Sequence, residues 1–306
     1  MAAERLAVIG APSSAGAYAP GQELAPAAFR DAGLIAALRA EGWAQVEDVG
    51  DVPGARWAPD PEDPLAANVA EAARVAGKVS GAVRGALGDG AERALILGGD
   101  CTVGIGAVAG VADRGRVGLV YLDLHADLNV PEATDDGALD WMGVAHLLAL
   151  DGARAPLRDV GLRTPLLSGA DVALVGFDPD HATAFELAAI AEHGLAHESI
   201  AALACDPAAA ARRALAALGD CDVLAVHLDV DVVDFLDLPL SENTERDGGV
   251  TLDAALAALA VAVADPRCAT ITVTEVNPDH GAADGTTLKT LVGGLAAALA
   301  PPPAAA

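Results

Sequence analysis

Asp123-Leu124-His125-Ala126-Asp127 follows directly on the apolar run Val117–Leu122, and Asp229-Val230-Asp231 follows on a second run, Asp222–Leu228. Side chains of a strand alternate between faces, so residues two and four apart share one. Read as continuations of buried strands, the first segment presents Asp123, His125 and Asp127 together, and the second presents Asp229 with Asp231. Four carboxylates and an imidazole beside a core are costly unless a cation sits among them. Many oxygen donors with few nitrogens favour hard divalent ions such as manganese or magnesium. This many acids point to two ions bridged by shared carboxylates.

The elements that must position these residues alternate along the chain. Strand-like runs are expected at Arg5–Gly10, Ala94–Leu97, Val117–Leu122, Asp171–Phe177, Asp222–Leu228 and Cys268–Val273. Helical patterns lie between them, at Ala25–Ala40, Leu65–Leu87, Thr183–His193, Pro207–Leu218, Leu252–Ala264 and Thr287–Leu299. Strand and helix in alternation predict an α/β fold of three layers, α/β/α, with a central, mostly parallel sheet covered on both faces. Both acidic segments then sit at the carboxyl ends of strands, where such sheets bind ligands. The segments 51–64 and 237–249 read as loops. Neither an internal repeat nor a domain boundary is evident. The chain is therefore read as a single domain over residues 1–300, with a low-complexity, disordered tail at 301–306.

Bulk properties narrow the function. Of 306 residues, 53% are hydrophobic and 3% aromatic, so the core must be built from Ala, Val, Leu and Ile. A formal net charge of −26 argues against binding a phosphate backbone, which needs Lys and Arg, and would attract a cationic substrate at long range. Its commoner role is to keep an apolar-rich chain soluble. The four cysteines form no C-x-x-C pair. The first twelve residues lack a signal h-region, and no uninterrupted apolar stretch reaches the length of a span. The expectation is a cytoplasmic protein without membrane or nucleic-acid partners.

Five motifs, in order, resemble the ureohydrolase (arginase–agmatinase) family. They are Gly10-Ala11-Pro12-Ser13 with Pro26 and Phe29-Arg30; Gly98-Gly99-Asp100-Cys101-Thr102; Asp123-Leu124-His125-Ala126-Asp127-Leu128-Asn129; Asp229-Val230-Asp231 with Asp234; and Thr274-Glu275-Val276-Asn277-Pro278. The resemblance implies a dimanganese hydrolase that cleaves a guanidine to urea and an amine through a metal-bridging hydroxide, in homotrimers or hexamers. Carried over residue by residue, it implies Asp123 and Asp229 as bridging ligands, Cys101 and Asp127 completing one site, and His125 and Asp231 completing the other. It implies Asp127, Glu275, Asp140 and His280 as candidate catalytic groups, and Asn129, Asp136, Asp180 and Glu275 as candidate substrate contacts.

Three departures stand out. Cys101 occupies a position where the family carries a histidine ligand. It either ligates as a softer donor, leaving the site weak or altered, or is a small buried residue; its turn and helix start would lower its pKa. A related branch acting on N-hydroxylated arginine resembles this chain in the replacement, so a modified guanidine is a candidate substrate. Asp136-Gly137-Ala138-Leu139-Asp140-Trp141-Met142 stands where arginases carry Ser-Gly-Asn-x-His-Gly, which removes the residues that hold the substrate's amino-acid end and puts Asp140 in place of the proton-shuttle histidine. His280 is a candidate replacement shuttle. Phe235 replaces a proline in an unfamiliar loop. Of the other histidines, His146 is read as a core residue and His227 as a partner of a ligand carboxylate. Competing functions are hydrolysis of a formimino group, as in formiminoglutamase, and a catalytically silent scaffold. The acids Asp136 and Asp140 oppose the first, and retention of most ligands opposes the second.

Overall fold

Runs of Val, Leu, Ile and Ala that are buried along their whole length form the centre of the molecule, as expected of parallel strands covered on both faces. The computed structural model describes residues 5–244, 246 and 248–301, so 302–306 of the expected tail lie outside the described residues. Eight strands are present: β1 (Arg5–Gly10), β2 (Gln45–Asp51), β3 (Arg93–Leu97), β4 (Val117–Leu122), β5 (Val172–Phe177), β6 (Ala196–Ser199), β7 (Val223–Asp229) and β8 (Cys268–Thr274). All pair in parallel, in the order β2-β1-β3-β8-β7-β4-β5-β6.

The helices are α1 (Ala25–Asp31), α2 (Leu34–Ala40), α3 (Val69–Gly88), α4 (Val103–Val111), α5 (Gly143–Leu148), α6 (Ala155–Arg158), α7 (Ala184–His193), α8 (Ile200–Cys205), α9 (Pro207–Ala217), α10 (Leu252–Val263) and α11 (Thr286–Ala298). One face of the sheet packs on α3, α4, α5 and α7, and the other on α1, α2 and α8 to α11, giving two apolar layers and the three-layer α/β/α architecture. The core is aliphatic, as composition demands: Val75, Ala76, Val79 and Val83 of α3 repeat at helical spacing and are fully buried.

Two strands and several short helices escape the sequence pattern. β2 and β6 lie at the sheet edges, are largely uncovered, and carry polar residues, Gln45-Val46-Glu47-Asp48 and Ala196-His197-Glu198-Ser199. α4 is buried on every side and so lacks an amphipathic period. The expected helix 25–40 is broken in two, with Gly33 in the left-handed region at φ 93°.

Candidate metal centre and pocket

Four adjacent central strands, β3, β8, β7 and β4, deliver the candidate residues from their carboxyl ends. β3 leads through Gly98-Gly99-Asp100 to Cys101. β4 leads to Asp123, His125 and Asp127; β7 ends on Asp229 and leads to Asp231; β8 leads to Glu275. Gly99 is required by close approach, since a Cβ there would lie 1.7 Å from the Ser13 carbonyl oxygen. Below it Asp100 is buried and accepts from the Ser13 hydroxyl at 3.0 Å and the Gly16 amide at 3.1 Å, tying the turn to the loop after β1.

The acids converge, but not by strand alternation. β4 stops at Leu122, and Asp127 is left-handed at φ 52°. Asp231 sits in a 3-10 turn over 230–232, and Glu275 is also left-handed at φ 62°. Non-glycine residues in that region cost energy and persist only where surroundings hold them. Here the holders are evident. Asp127 accepts from the Tyr121 hydroxyl in a short hydrogen bond. Glu275 accepts from the Cys101 amide at 2.8 Å and from Gln22 Nε2 at 3.0 Å. Asp123 and Asp229 each accept from the backbone two residues on, at 2.6 and 2.8 Å. His125 Nδ1 lies 3.0 Å from Asp231 and 3.4 Å from Asp123. Asn243 donates to Asp231 at 3.3 Å.

Donor chemistry and geometry fit divalent ions. Three groups have ligand atoms mutually within 4.8 Å: Cys101 with Asp123 and His227, Cys101 with Asp229 and Glu275, and Asp123 with His125 and Asp231. Asp123 Oδ2 and Asp231 Oδ1 are buried without a hydrogen-bond partner among the described residues. Buried, unpaired carboxylate oxygens are expensive, and a cation between them removes the cost.

Electrostatics carries the same signature. Burial, then the charge of Asp231, pushes Asp123 up to about 7. Burial and neighbouring acids hold Asp127, Asp229 and Glu275 well above the usual carboxylate range. Burial opposes charge on His125 too, but Asp231 and Asp123 outweigh it and raise the imidazole well above its ordinary value. Burial likewise works to raise Asp231, yet the His125 charge wins and holds it down. The expected lowering at Cys101 is overturned. Its thiol is pushed well up, first by burial and then by Asp229, Glu275, Asp127 and Asp123, so in this cluster the turn and helix start do not prevail.

A cavity of about 170 Å³ opens over the cluster, lined by His125, Asp127, Asp229, Asp231 and Glu275 at its floor and by Tyr18, Asp136, Ala138, Asp140, Trp141 and Asn243 on its walls. Asp136 is exposed, and Asp140 half-buried. Trp141 both packs against the apolar layer and lines the pocket.

Other predicted residues lie elsewhere. Asn129 is fully buried and accepts from the Thr183 hydroxyl at 2.7 Å, away from the pocket lining. Asp180 is exposed and is not among the lining residues. His280 also stands off the lining, its Nδ1 2.9 Å from the Ser241 carbonyl oxygen. His146 is the core histidine expected, with Nδ1 2.7 Å from Met142 O and Nε2 accepting from Arg154 N at 3.1 Å. Tyr18, Gln22 and Tyr121 were not singled out from sequence: Tyr18 and Gln22 come from a segment remote from the acidic motifs, and Tyr121 read as one more residue of the strand before Asp123.

The Arginase family model matches residues 4–299. Human Arginase-1 is 31% identical over 173 residues, which cover 56% of this chain and 53% of that protein. The chain thus spans about half the length of the curated relatives it matches. The solved arginase of Bacillus caldovelox superposes with a TM-score of 0.84 at 25% identity, covering 97% of this chain and 98% of that one. The formimidoylglutamase of Bacillus subtilis shares the fold with a TM-score of 0.73 at 20% identity, covering 97% and 86%. Motif order, sheet topology and these matches agree: the chain belongs to the arginase family.

Proposed function

We propose that the protein is a metal-dependent amidinohydrolase that cleaves a guanidine C–N bond of a small molecule to urea, or a substituted urea, and an amine. The observation that carries this is the convergence of His125, Asp127, Asp229, Asp231 and Glu275 on one pocket, with Asp123 beside His125 and buried oxygens of Asp123 and Asp231 left without a partner among the described residues. Cys101, Asp123, His125, Asp127, Asp229 and Asp231 would hold two divalent ions, with manganese the match to the oxygen-rich donors. Bound there, the ions supply the Lewis acidity that makes hydroxide from water at neutral pH.

The chain's own residues do the rest. Glu275, fixed by the Cys101 amide and Gln22, orients the guanidinium by paired N–H···O contacts. Asp127, aimed by Tyr121, accepts a hydrogen bond from the attacking water and places it. Burial first, and then the charges of Asp100 and Asp136, raise the Asp140 carboxyl well above the usual carboxylate range, which suits it to carry a proton. It gives that proton to the leaving amine and regains it from solvent. Asp136, exposed on the pocket lining, favours a substrate whose far end is cationic, and the absence of the arginase Ser-Gly-Asn-x-His-Gly pattern disfavours an amino-acid end. In this reading the protein works in the cytoplasm as a homotrimer or hexamer.

The test is a urea-release screen with manganese-loaded protein over alkyl, hydroxylated and amine-tailed guanidines, run beside a formamide-release assay on formimino compounds. Urea from an amine-tailed guanidine, lost by at least about a hundredfold in Asp127→Asn, is expected. Formamide release without urea, or no turnover of either class, refutes the proposal.

A further inference from the structure

We propose that His227 is itself a metal ligand. Together with Cys101 and Asp123 it forms a sulfur–nitrogen–oxygen set that selects a borderline ion, zinc or cobalt, over manganese. The inference rests on the metal-centre reading above and assigns the donors of one of its two sites.

His227 lies on β7, two residues before Asp229, and is 2% exposed. Its Nε2 is 3.3 Å from Cys101 Sγ and 3.0 Å from the Thr274 hydroxyl. Donor atoms of His227, Cys101 and Asp123 lie within 4.8 Å of one another, and Asp123 Oδ2 is buried without a partner. Zinc–sulfur and zinc–nitrogen bonds of about 2.3 and 2.0 Å, opened at a tetrahedral angle, set the two donors roughly 3.5 Å apart. The observed separation is close to that.

The ring is also built into place. It stacks on Tyr121 with centroids 4.2 Å apart and planes 10° from parallel. A Cβ on Gly104 of α4 would lie 2.7 Å from Nδ1, so glycine there admits the imidazole. A histidine kept for packing satisfies both nitrogens, as His146 does with Met142 O and Arg154 N. His227 differs at the atom that faces Cys101: Nε2 meets only the thiol and a hydroxyl among the described residues. That hydroxyl has another acceptor, Leu228 O at 3.3 Å, which leaves the Nε2 lone pair for an ion. Thiolate and imidazole are softer donors than the carboxylates around His125, so the two sites differ in the ion they prefer.

The experiment uses the whole chain, stripped with chelator and reloaded. Wild-type protein is expected to bind two ions, to show thiolate-to-cobalt absorption in the near ultraviolet, and to prefer zinc over manganese at that site. X-ray absorption of the form loaded with one equivalent of zinc is expected to show one sulfur and one imidazole nitrogen. His227→Phe, which keeps the stacking on Tyr121, is expected to weaken the thiolate site by at least about tenfold while the second ion stays. His227→Gln serves if the Phe variant misfolds. A zinc site without imidazole scattering, or unchanged cobalt affinity in either folded variant, overturns the inference and leaves the metal centre standing. Failure of the wild type to bind any ion overturns both.

Discussion

Asp140 and His146 show how one physical cause, burial, serves different ends. Asp140 lines the pocket with its carboxyl held well above the usual range, and cations bound below would draw it down toward the working pH of an acid. A group that must be protonated to act loses activity as pH rises through its pKa. In Asp140→Asn, turnover is expected to fall by about 10²–10⁴-fold and to lose its alkaline decline, read from kcat against pH. Retention of that decline assigns the proton to another group. His146 is buried neutral, pushed down to about 4 by burial. Against an unfolded value of about 6.5, the unfolded chain takes up a proton between pH 6.5 and 4 that the folded chain refuses. Stability therefore falls as pH drops through that window. Urea unfolding at pH 7 and 4.5 is expected to show an acid loss smaller by roughly 2–3 kcal/mol in His146→Gln than in wild type. Equal losses mean that His146 takes up its proton in the folded state.

At the scale of elements, α7 does more than cover the sheet. Thr183 caps it, accepting from the Glu186 amide at 3.1 Å, while Glu186 accepts from the Thr183 amide at 2.9 Å. The same pair reaches the loop after β4: Thr183 donates to Asn129, and Glu186 accepts from Leu128 N at 3.2 Å. The capping box of a distant helix thus pins the segment that carries Asp127. Thr183→Ala is expected to cost about 1–2 kcal/mol in chemical unfolding and to lower ion affinity, whereas Thr183→Ser retains both. An alanine variant of wild-type stability would remove α7 from the support of the loop. This coupling was not legible in the sequence, where Asn129 read as a substrate contact. The motif marked its importance, but the partner sits 54 residues away. The buried strands and the acids behind them were legible, because continuous apolar runs ending in carboxylates are rare without a cation. The edge strands β2 and β6 were not, because uncovered strands need no apolar face. The predicted shared strand face was right in outcome and wrong in cause: turns and left-handed residues, not alternation, turn the acids inward.

For the whole molecule, the cluster is a liability that bound cations would relieve. Asp123, Asp127, Asp229, Asp231 and Glu275 are all buried, within a chain of net charge −26. Ions that bind the folded state stabilise it, by about 2.7 kcal/mol for each site at a hundred times its dissociation constant. Chelation is expected to lower the melting temperature by several degrees, and readdition of manganese or zinc to restore it. A melting temperature indifferent to both would mean that the acids are neutralised by protons alone. Reloading in weak buffer is expected to release protons, since raised carboxyls and the Cys101 thiol must ionise to ligate. No helix among the described residues is long and apolar enough to cross a membrane.

The order β3-β8-β7-β4 spreads the candidate ligands from Cys101 to Glu275 over most of the chain. No amino-terminal fragment that ends before β8 holds them all, since Glu275 follows the strand synthesised latest. Because β8 lies between the strands that carry Cys101 and Asp229, the thiol and the acids are brought together in their finished geometry only once that strand is in place.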